Sequence, residues 1–177
     1  FSAGTTSQNI SFTIVNDSIV EDAETIILTL SNPTEAIFVT SSKKTHTFSI
    51  SNDDFPSITF NDSTSTQTES TTSVTIPVTL SETSPSTVTI DYAVTGSATG
   101  GGVDYTLANG TLSFSAGTTS QNISFSLVDD SIAEKDAETI TLTLSSPTEA
   151  IFVTSSNKTH TFTILDDEEG LFSSKEE

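Results

Sequence analysis

The chain has 177 residues, of which 33% are hydrophobic, and its 24 acidic and five basic residues give a formal charge of −19. This composition suits a folded domain with a real core, whereas the charge repels nucleic-acid phosphates and anionic lipid surfaces. There is no Cys, so disulfides and thiolate metal sites are excluded and any metal must bind oxygen ligands. No apolar run reaches the roughly 18 residues of a membrane-spanning helix.

An internal duplication organises the chain. Residues 1–54 align with 114–168 when Lys135 is treated as an insertion, and 43 of the 54 aligned positions are identical. Residues 55–113 have no counterpart before residue 1. We therefore predict the C-terminal half of one repeat (1–54, the half repeat), a complete repeat (55–168), and a tail (169–177) that frays or begins a further strand.

Alternating apolar residues predict β-strands, because successive side chains of a strand point to opposite faces. Gly- and Asp-rich breaks separate the strands at intervals typical of a β-sandwich, in which each apolar face is covered by a second sheet. We predict an all-β fold of tandem immunoglobulin-like sandwiches, with seven strands in the complete repeat. The defining positions there are Val74, Ile76, Val78 and Leu80; Val88, Ile90, Tyr92 and Val94; Ile123, Phe125 and Leu127; Ile140, Leu142 and Leu144; Phe162 and Ile164.

The half repeat contains only the last strands of such a sandwich. Half a sandwich leaves apolar faces and strand edges open, which proteins normally cover or pair. Two sources can supply the missing strands: a longer parent chain before residue 1, or another molecule by strand addition, which would make a head-to-tail fibre. The strand positions are Ile10, Phe12 and Ile14; Ile26, Leu28 and Leu30; Phe48 and Ile50.

Acidic residues of the complete repeat lie at strand ends and turns, and the loops of a sandwich gather at its two tips. Carboxylates gathered at one tip repel unless a cation lies between them, and Ca²⁺ accepts roughly six to eight oxygen ligands in irregular geometry. The alternative is that Asp and Asn at these turns only accept hydrogen bonds from nearby backbone N–H groups, as in Asx-turns. Both interpretations fit the pattern of acidic residues.

Four motifs of the complete repeat resemble the Calx-beta domain family: Gly-Val-Asp-Tyr at 102–105, Gly-Thr-Leu-Ser-Phe at 110–114, the acidic turn beginning at residue 129, and Ile-Leu-Asp-Asp at 164–167. The resemblance covers 55–168 entirely and 1–54 in part. Two departures are the insertion of Lys135 in the acidic turn and Glu168 where some members have a third Asp. The resemblance implies a calcium site at one tip, formed by Glu69, Asp104, Asp129, Asp130, Glu134, Asp166 and Asp167.

The equivalent positions of the half repeat have lost two carboxylates, because Asn16 and Asn52 stand where the complete repeat has Asp. We expect a weaker calcium site there. Donated strands that bring a further Glu would couple calcium binding to assembly, since the site would exist only in the joined state. The remaining candidate ligands are Asp17, Glu21, Asp53 and Asp54.

His46 and His160 occupy equivalent positions and share the strand parity of core residues, so we interpret both as structural. No nucleophile elbow, P-loop or HExxH motif is present, and we do not expect an enzyme. Six Asn-x-Ser/Thr sequons predict surface glycans in an organism that modifies such sites. These acceptors are Asn9, Asn16, Asn61, Asn109, Asn122 and Asn157.

Together these features predict a calcium-stabilised structural element of an extracellular or cell-surface array, filament or stalk that self-associates. One alternative is a calcium sensor, in which ion occupancy changes the angle between domains and so controls a partner. A second alternative is an adhesin module that binds glycans or proteins.

Overall fold

The computed structural model describes residues 1–38, 40, 44–132, 137–154 and 157–168, which contain ten β-strands. The described residues include no helix, and therefore none that is long and apolar enough to cross a membrane. The all-β prediction is confirmed, while the tail at 169–177 lies outside the described residues. The strands are β1 (Glu24–Thr29), β2 (Thr45–Ile50), β3 (Ile58–Phe60), β4 (Thr64–Thr68), β5 (Val74–Leu80), β6 (Val88–Gly96), β7 (Gly110–Phe114), β8 (Ser120–Phe125), β9 (Glu138–Thr148) and β10 (Thr159–Leu165).

The complete repeat is a sandwich of two sheets. A five-stranded sheet has the order β4-β10-β9-β6-β7, and a three-stranded sheet has the order β3-β5-β8. The described residues of the sandwich therefore form eight strands, whereas the sequence predicted seven. At its start the chain leaves β3 in one sheet, turns through residues 61–63, and enters β4 in the other.

The core lies between the two sheets and consists of the inward-facing residues of the alternating strands. Val78, Ile90 and Leu142 are fully buried, as their period-two positions predict. Phe125 of β8 and Phe162 of β10 meet edge to face across the sandwich, with ring centroids 5.5 Å apart. The apolar alternation thus determines which face of each strand is buried.

His160 of β10 is part of this core. It is buried, its Nε2 lies 2.7 Å from the Ser65 hydroxyl, and its Nδ1 lies 2.7 Å from the Asp62 backbone carbonyl. The ring also packs against Phe60, with ring centroids 5.6 Å apart. Its contacts with β4 and the preceding turn support the structural interpretation, whereas His46 of the half repeat is exposed.

One strand pair in the five-stranded sheet is parallel. β10 pairs with β9 antiparallel on one side and with β4 parallel on the other, in a register running from Thr161 opposite Thr64 to Leu165 opposite Thr68. Parallel neighbours end at the same edge of a sheet. The residues that follow β4 and β10 therefore meet at one tip of the sandwich.

The half repeat forms a two-stranded sheet, in which β1 and β2 pair antiparallel from Glu24 opposite Ile50 to Thr29 opposite Thr45. The predicted strand at Ile10, Phe12 and Ile14 is wrong, because residues 1–23 contain no strand. The equivalent strand of the complete repeat, β8, exists by pairing with β5. Among the described residues of 1–54, no strand takes the place of β5 beside residues 7–12.

Candidate metal centre

Four carboxylates meet at the tip where β4 and β10 end. Glu69, Asp129, Asp167 and Glu168 each contribute one carboxylate oxygen, and these four oxygens all lie within 4.8 Å of one another. Glu69 is only 6% exposed, Glu168 is half-buried, and the two Asp residues are exposed. The cluster is therefore buried at Glu69 and open to solvent at Asp129 and Asp167.

The strand pairing accounts for the position of each side chain. The Glu69 amide donates to the Leu165 carbonyl at 3.1 Å, which extends the parallel ladder by one residue and fixes the glutamate beside the end of β10. Asp129 follows β8 in the facing sheet, and the preceding Val128 amide donates to the Asp104 carbonyl at 2.9 Å. Segments from three separate parts of the sequence thus converge on one tip.

Two carboxylate oxygens at the end of β10 accept no hydrogen bond from the described residues. They are Asp166 Oδ1 and Glu168 Oε2, and both atoms are buried. Lys44 and Lys158 each lie over a phenylalanine ring, 4.6 Å from its centroid, and do not pair with the cluster. Clustered carboxylates are the hard oxygen donors that Ca²⁺ prefers, and the residues fit such an ion.

Three predicted ligands have other contacts or lie outside the four-oxygen cluster. The Asp104 carboxylate accepts a hydrogen bond from the Thr99 amide, and the Asp130 carboxylate accepts one from the Ile132 amide at 2.6 Å. The Asp130 contact is the local Asx-type contact of the alternative interpretation, whereas the Thr99 amide that contacts Asp104 lies five residues before it. Asp166 lies beside the cluster in sequence but is not one of the four residues, and the ligand roles of all three stay predictions.

Two further residues complete the comparison with the predicted site. Glu134 lies outside the described residues, as does the inserted Lys135 beside it. Glu168 belongs to the cluster, although the predicted ligand set omits it. The signal for Glu168 was its position directly after two acidic residues at the end of the last strand.

The half repeat has a looser acidic cleft at the equivalent end. A cleft of about 340 Å³ is lined by all four predicted residues, Asp17, Glu21, Asp53 and Asp54. Within the described ranges, three or more carboxylate oxygens come within 4.8 Å of one another only in the complete repeat. The Asn52 amide occupies the cleft instead, because its Oδ1 accepts from the Glu21 amide at 3.2 Å and its Nδ2 donates to the Asp54 carbonyl at 2.6 Å.

The fold and the acidic tip define an all-β sandwich module with a cluster of oxygen donors at one end. The Calx-beta domain model matches residues 1–54 and 51–168. The chain therefore belongs to the Calx-beta domain family, and the resemblance noted in its motifs is confirmed. Comparison with curated protein sequences finds no significant match.

Solved structures share the fold. The apo form of the Calx CBD1 domain is 23% identical with a TM-score of 0.57, and the match covers 65% of this chain and 100% of that one. The calcium binding domain CBD12 of CALX1.1 is 23% identical with a TM-score of 0.55, over 63% of this chain and 44% of that one. The Calx CBD2 domain is 20% identical with a TM-score of 0.53, over 63% and 87%.

Proposed function

We propose that the complete repeat is a calcium-binding module and that Ca²⁺ stabilises it as a structural element. The observation that carries this proposal is the convergence of four carboxylates at one tip, of which Glu69 is buried. Without a cation, these like charges repel and destabilise the tip. Membership of a family whose solved relatives include a domain named for calcium binding supports the choice of ion.

Glu69, Asp129, Asp167 and Glu168 would hold the ion, and backbone carbonyls or water would complete its coordination. The ion would bind only the folded repeat, because the four residues come from distant parts of the chain. Binding at a hundred times the dissociation constant would then add about 2.7 kcal/mol to the free energy of unfolding. The role is that of a binding and structural module rather than an enzyme.

Calorimetric titration of the chain with Ca²⁺ tests this proposal, together with melting temperatures in Ca²⁺ and in chelator. Asp167→Asn and Glu168→Gln should each weaken binding by at least about tenfold, because each removes a charged ligand. Glu82→Gln removes an exposed charge outside the cluster and serves as the control. Silent heats with an unchanged melting temperature would contradict the proposal.

A second calcium site of lower affinity is proposed for the half repeat. Its cleft gathers Asp17, Glu21, Asp53 and Asp54, but the two amides that replace carboxylates reduce its charge. We expect two classes of site in the titration, with Asp53→Asn affecting only the weaker class. The proposal of a second site would be wrong if the titration showed a single class of site whose affinity Asp53→Asn left unchanged.

The structural role is proposed for an extracellular or cell-surface array. A boundary between the repeats at residues 54 and 55 leaves almost no linker, since the Pro56 carbonyl already accepts from the Ile151 amide at 3.0 Å inside the complete repeat. Calcium at the cleft beside this boundary would stiffen the junction against the repulsion of a chain with a formal charge of −19. Negative-stain microscopy with and without Ca²⁺ should show filaments in Ca²⁺, whereas compact monomers would favour the sensor.

Glycans are proposed at the sequons, since five of the six acceptor residues are exposed. Asn157 differs from the others because it is half-buried and its Nδ2 donates to the Phe60 carbonyl at 3.5 Å. On expression in a glycosylating secretory host, mass spectrometry should find Asn157 unmodified and Asn122, which lies on an outer sheet face, modified. The reverse pattern would contradict this assignment.

A further inference from the structure

The complete repeat is entered and left by the chain at opposite tips of the sandwich. β3 begins at Ile58, which pairs with Leu80 at the end of β5. β5 begins at Val74, which pairs with Phe125 at the end of β8, shortly before Asp129 of the acidic cluster. The chain therefore enters at the tip opposite the cluster and leaves, after β10, at the tip that carries it.

Tension along an array of such repeats acts along the line between the two tips. It draws β3 and β4, which follow the entry, towards one tip, and β10, which precedes the exit, towards the other. β3 has only three pairs with β5, together with bonds from the Ile58 and Phe60 amides to the loop between β9 and β10. The resistance of the repeat therefore depends strongly on the next pair of strands, β4 and β10.

The parallel pairing of β4 with β10 directly opposes this motion. At one end of the pairing, the Thr161 amide donates to the Ser63 carbonyl at 2.9 Å, and at the other the Glu69 amide donates to the Leu165 carbonyl at 3.1 Å. We call the pairing between these two bonds the terminal ladder, and it contains five residue pairs in register. Sliding the strands past each other strains all of its bonds at once, whereas separating them from one end breaks the bonds one after another.

A buried side chain adds a cross-link to the terminal ladder. His160 of β10 has Nε2 2.7 Å from the Ser65 hydroxyl and Nδ1 2.7 Å from the Asp62 carbonyl. The carbonyl can only accept, so Nδ1 carries the proton and Nε2 accepts from the hydroxyl. Because His160 is only 2% exposed, water does not compete for these bonds while the strands are in register.

We propose that the terminal ladder gives the complete repeat a further function, the resistance of tension along the array, and that Ca²⁺ at the acidic cluster strengthens it. Glu69 follows β4, and Asp167 and Glu168 follow β10, so an ion bound by all three ties the ends of the two strands together. Sliding by one residue moves a strand by about 3.3 Å, which is more than the length of a calcium–oxygen bond, roughly 2.3–2.6 Å. The strands therefore cannot slide without removing ligands from the ion.

This inference rests on the proposed array and, for the ion, on the proposed calcium site. Single-molecule force spectroscopy of the full chain tests it, with handles attached through introduced cysteines because the chain has none. Ser51→Cys and a Cys added after Glu177 connect the handles to the entry and exit of the repeat, so that force shears the terminal ladder. The control replaces Ser51→Cys by Thr72→Cys, an exposed position just after β4, so that both handles pull at the acidic tip and peel the strands apart. In chelator, the unfolding force should be at least about twofold higher in the shearing geometry.

A matched pair of proline substitutions tests the bonds of the terminal ladder. Backbone N–H groups of alternate strand residues point to opposite sides, so the Gln67 N–H faces β10 as that of Glu69 does, and the Thr66 N–H faces the outer edge of the sheet. Gln67→Pro should raise the unfolding rate under shear at least about fivefold, because it removes a ladder bond. Thr66→Pro, at a neighbour that is also exposed, should change this rate by less than about twofold.

Calcium is then added in the shearing geometry, where it should slow unfolding at a given force by at least about tenfold. Equal unfolding forces in the two geometries, or equal effects of the two prolines, would overturn the role of the ladder. Calcium that binds in calorimetry but leaves the shearing rate unchanged would overturn the tie between the strand ends and leave the proposed calcium site intact. Silent calorimetry would refute that site, whereas the difference between geometries in chelator would stand.

Discussion

At the scale of single residues, His160 and His46 show how identical side chains acquire different roles. Both follow a Thr near the start of equivalent strands, but only His160 has the Ser65 hydroxyl and the Asp62 carbonyl within 2.7 Å. Both partners lie about a hundred residues earlier in the chain. The role of each histidine therefore depends on whether that earlier segment is present.

We expect His160→Ala to lower the free energy of unfolding of the complete repeat by about 2–4 kcal/mol, because it opens a cavity and leaves buried polar partners unsatisfied. His46→Ala should change it by less than about 0.5 kcal/mol, since His46 is exposed. Urea denaturation of both variants makes the comparison. Equal effects would show that His160 does not bridge the two parts of the repeat.

The acidic residues were predictable as a group but not individually as members of the cluster. Their positions at strand ends indicated one tip, and four of them do meet there. Asp130 instead accepts a hydrogen bond from the Ile132 amide, and Glu168, omitted from the predicted ligands, is in the cluster. Adjacent acidic residues of a loop, such as Asp129 and Asp130, differ in whether the carboxylate faces the cluster. The backbone conformation of the loop determines this, and the spacing of residues in the sequence does not reveal it.

At the scale of the strand, the hexapeptide Ser-Gln-Asn-Ile-Ser-Phe occurs twice. At residues 120–125 it forms β8, and at residues 7–12 it forms no strand. Local propensity is identical in the two places, so the partner strand decides the difference. In the complete repeat β5 supplies that partner, with Ile76 opposite Ile123.

The same hexapeptide supports a matched pair of substitutions. Ile123→Ala should lower the free energy of unfolding by about 2–4 kcal/mol, because Ile123 is 2% exposed and the change leaves a cavity. Ile10→Ala should cost less than about 0.5 kcal/mol, since Ile10 is 63% exposed. Thermal and urea unfolding measure both, and an equally large loss for Ile10→Ala would mean that the face is covered in solution.

Strand pairing was less predictable than strand existence. Period-two alternation correctly indicated most strands and their buried faces, because burial of one face imposes that pattern. It could not indicate that β4 pairs parallel with β10, or that β3 and β4 lie in different sheets. These pairings depend on contacts between segments about a hundred residues apart.

At the scale of the whole molecule, a formal charge of −19 opposes compactness. Raising NaCl from about 0.01 M to about 0.15 M shortens the Debye length from about 30 Å to about 8 Å. In chelator, the free energy of unfolding should therefore rise, on the order of 1 kcal/mol. Calcium should weaken this salt dependence because it neutralises the acidic tip. If calcium left the salt dependence unchanged, the repulsion that salt screens would not come from the tip.

The sequence by itself determined the all-β class, the duplication, the buried face of most strands in the complete repeat and the location of acidic residues at strand ends. Alternation, identity and charge are local properties, so they can be read without a structure. Only the tertiary structure decided that parallel pairing of β4 and β10 brings Glu69 to the acidic tip. It also decided that one hexapeptide is a strand and its identical copy is not, because a strand requires a partner that its own sequence does not encode.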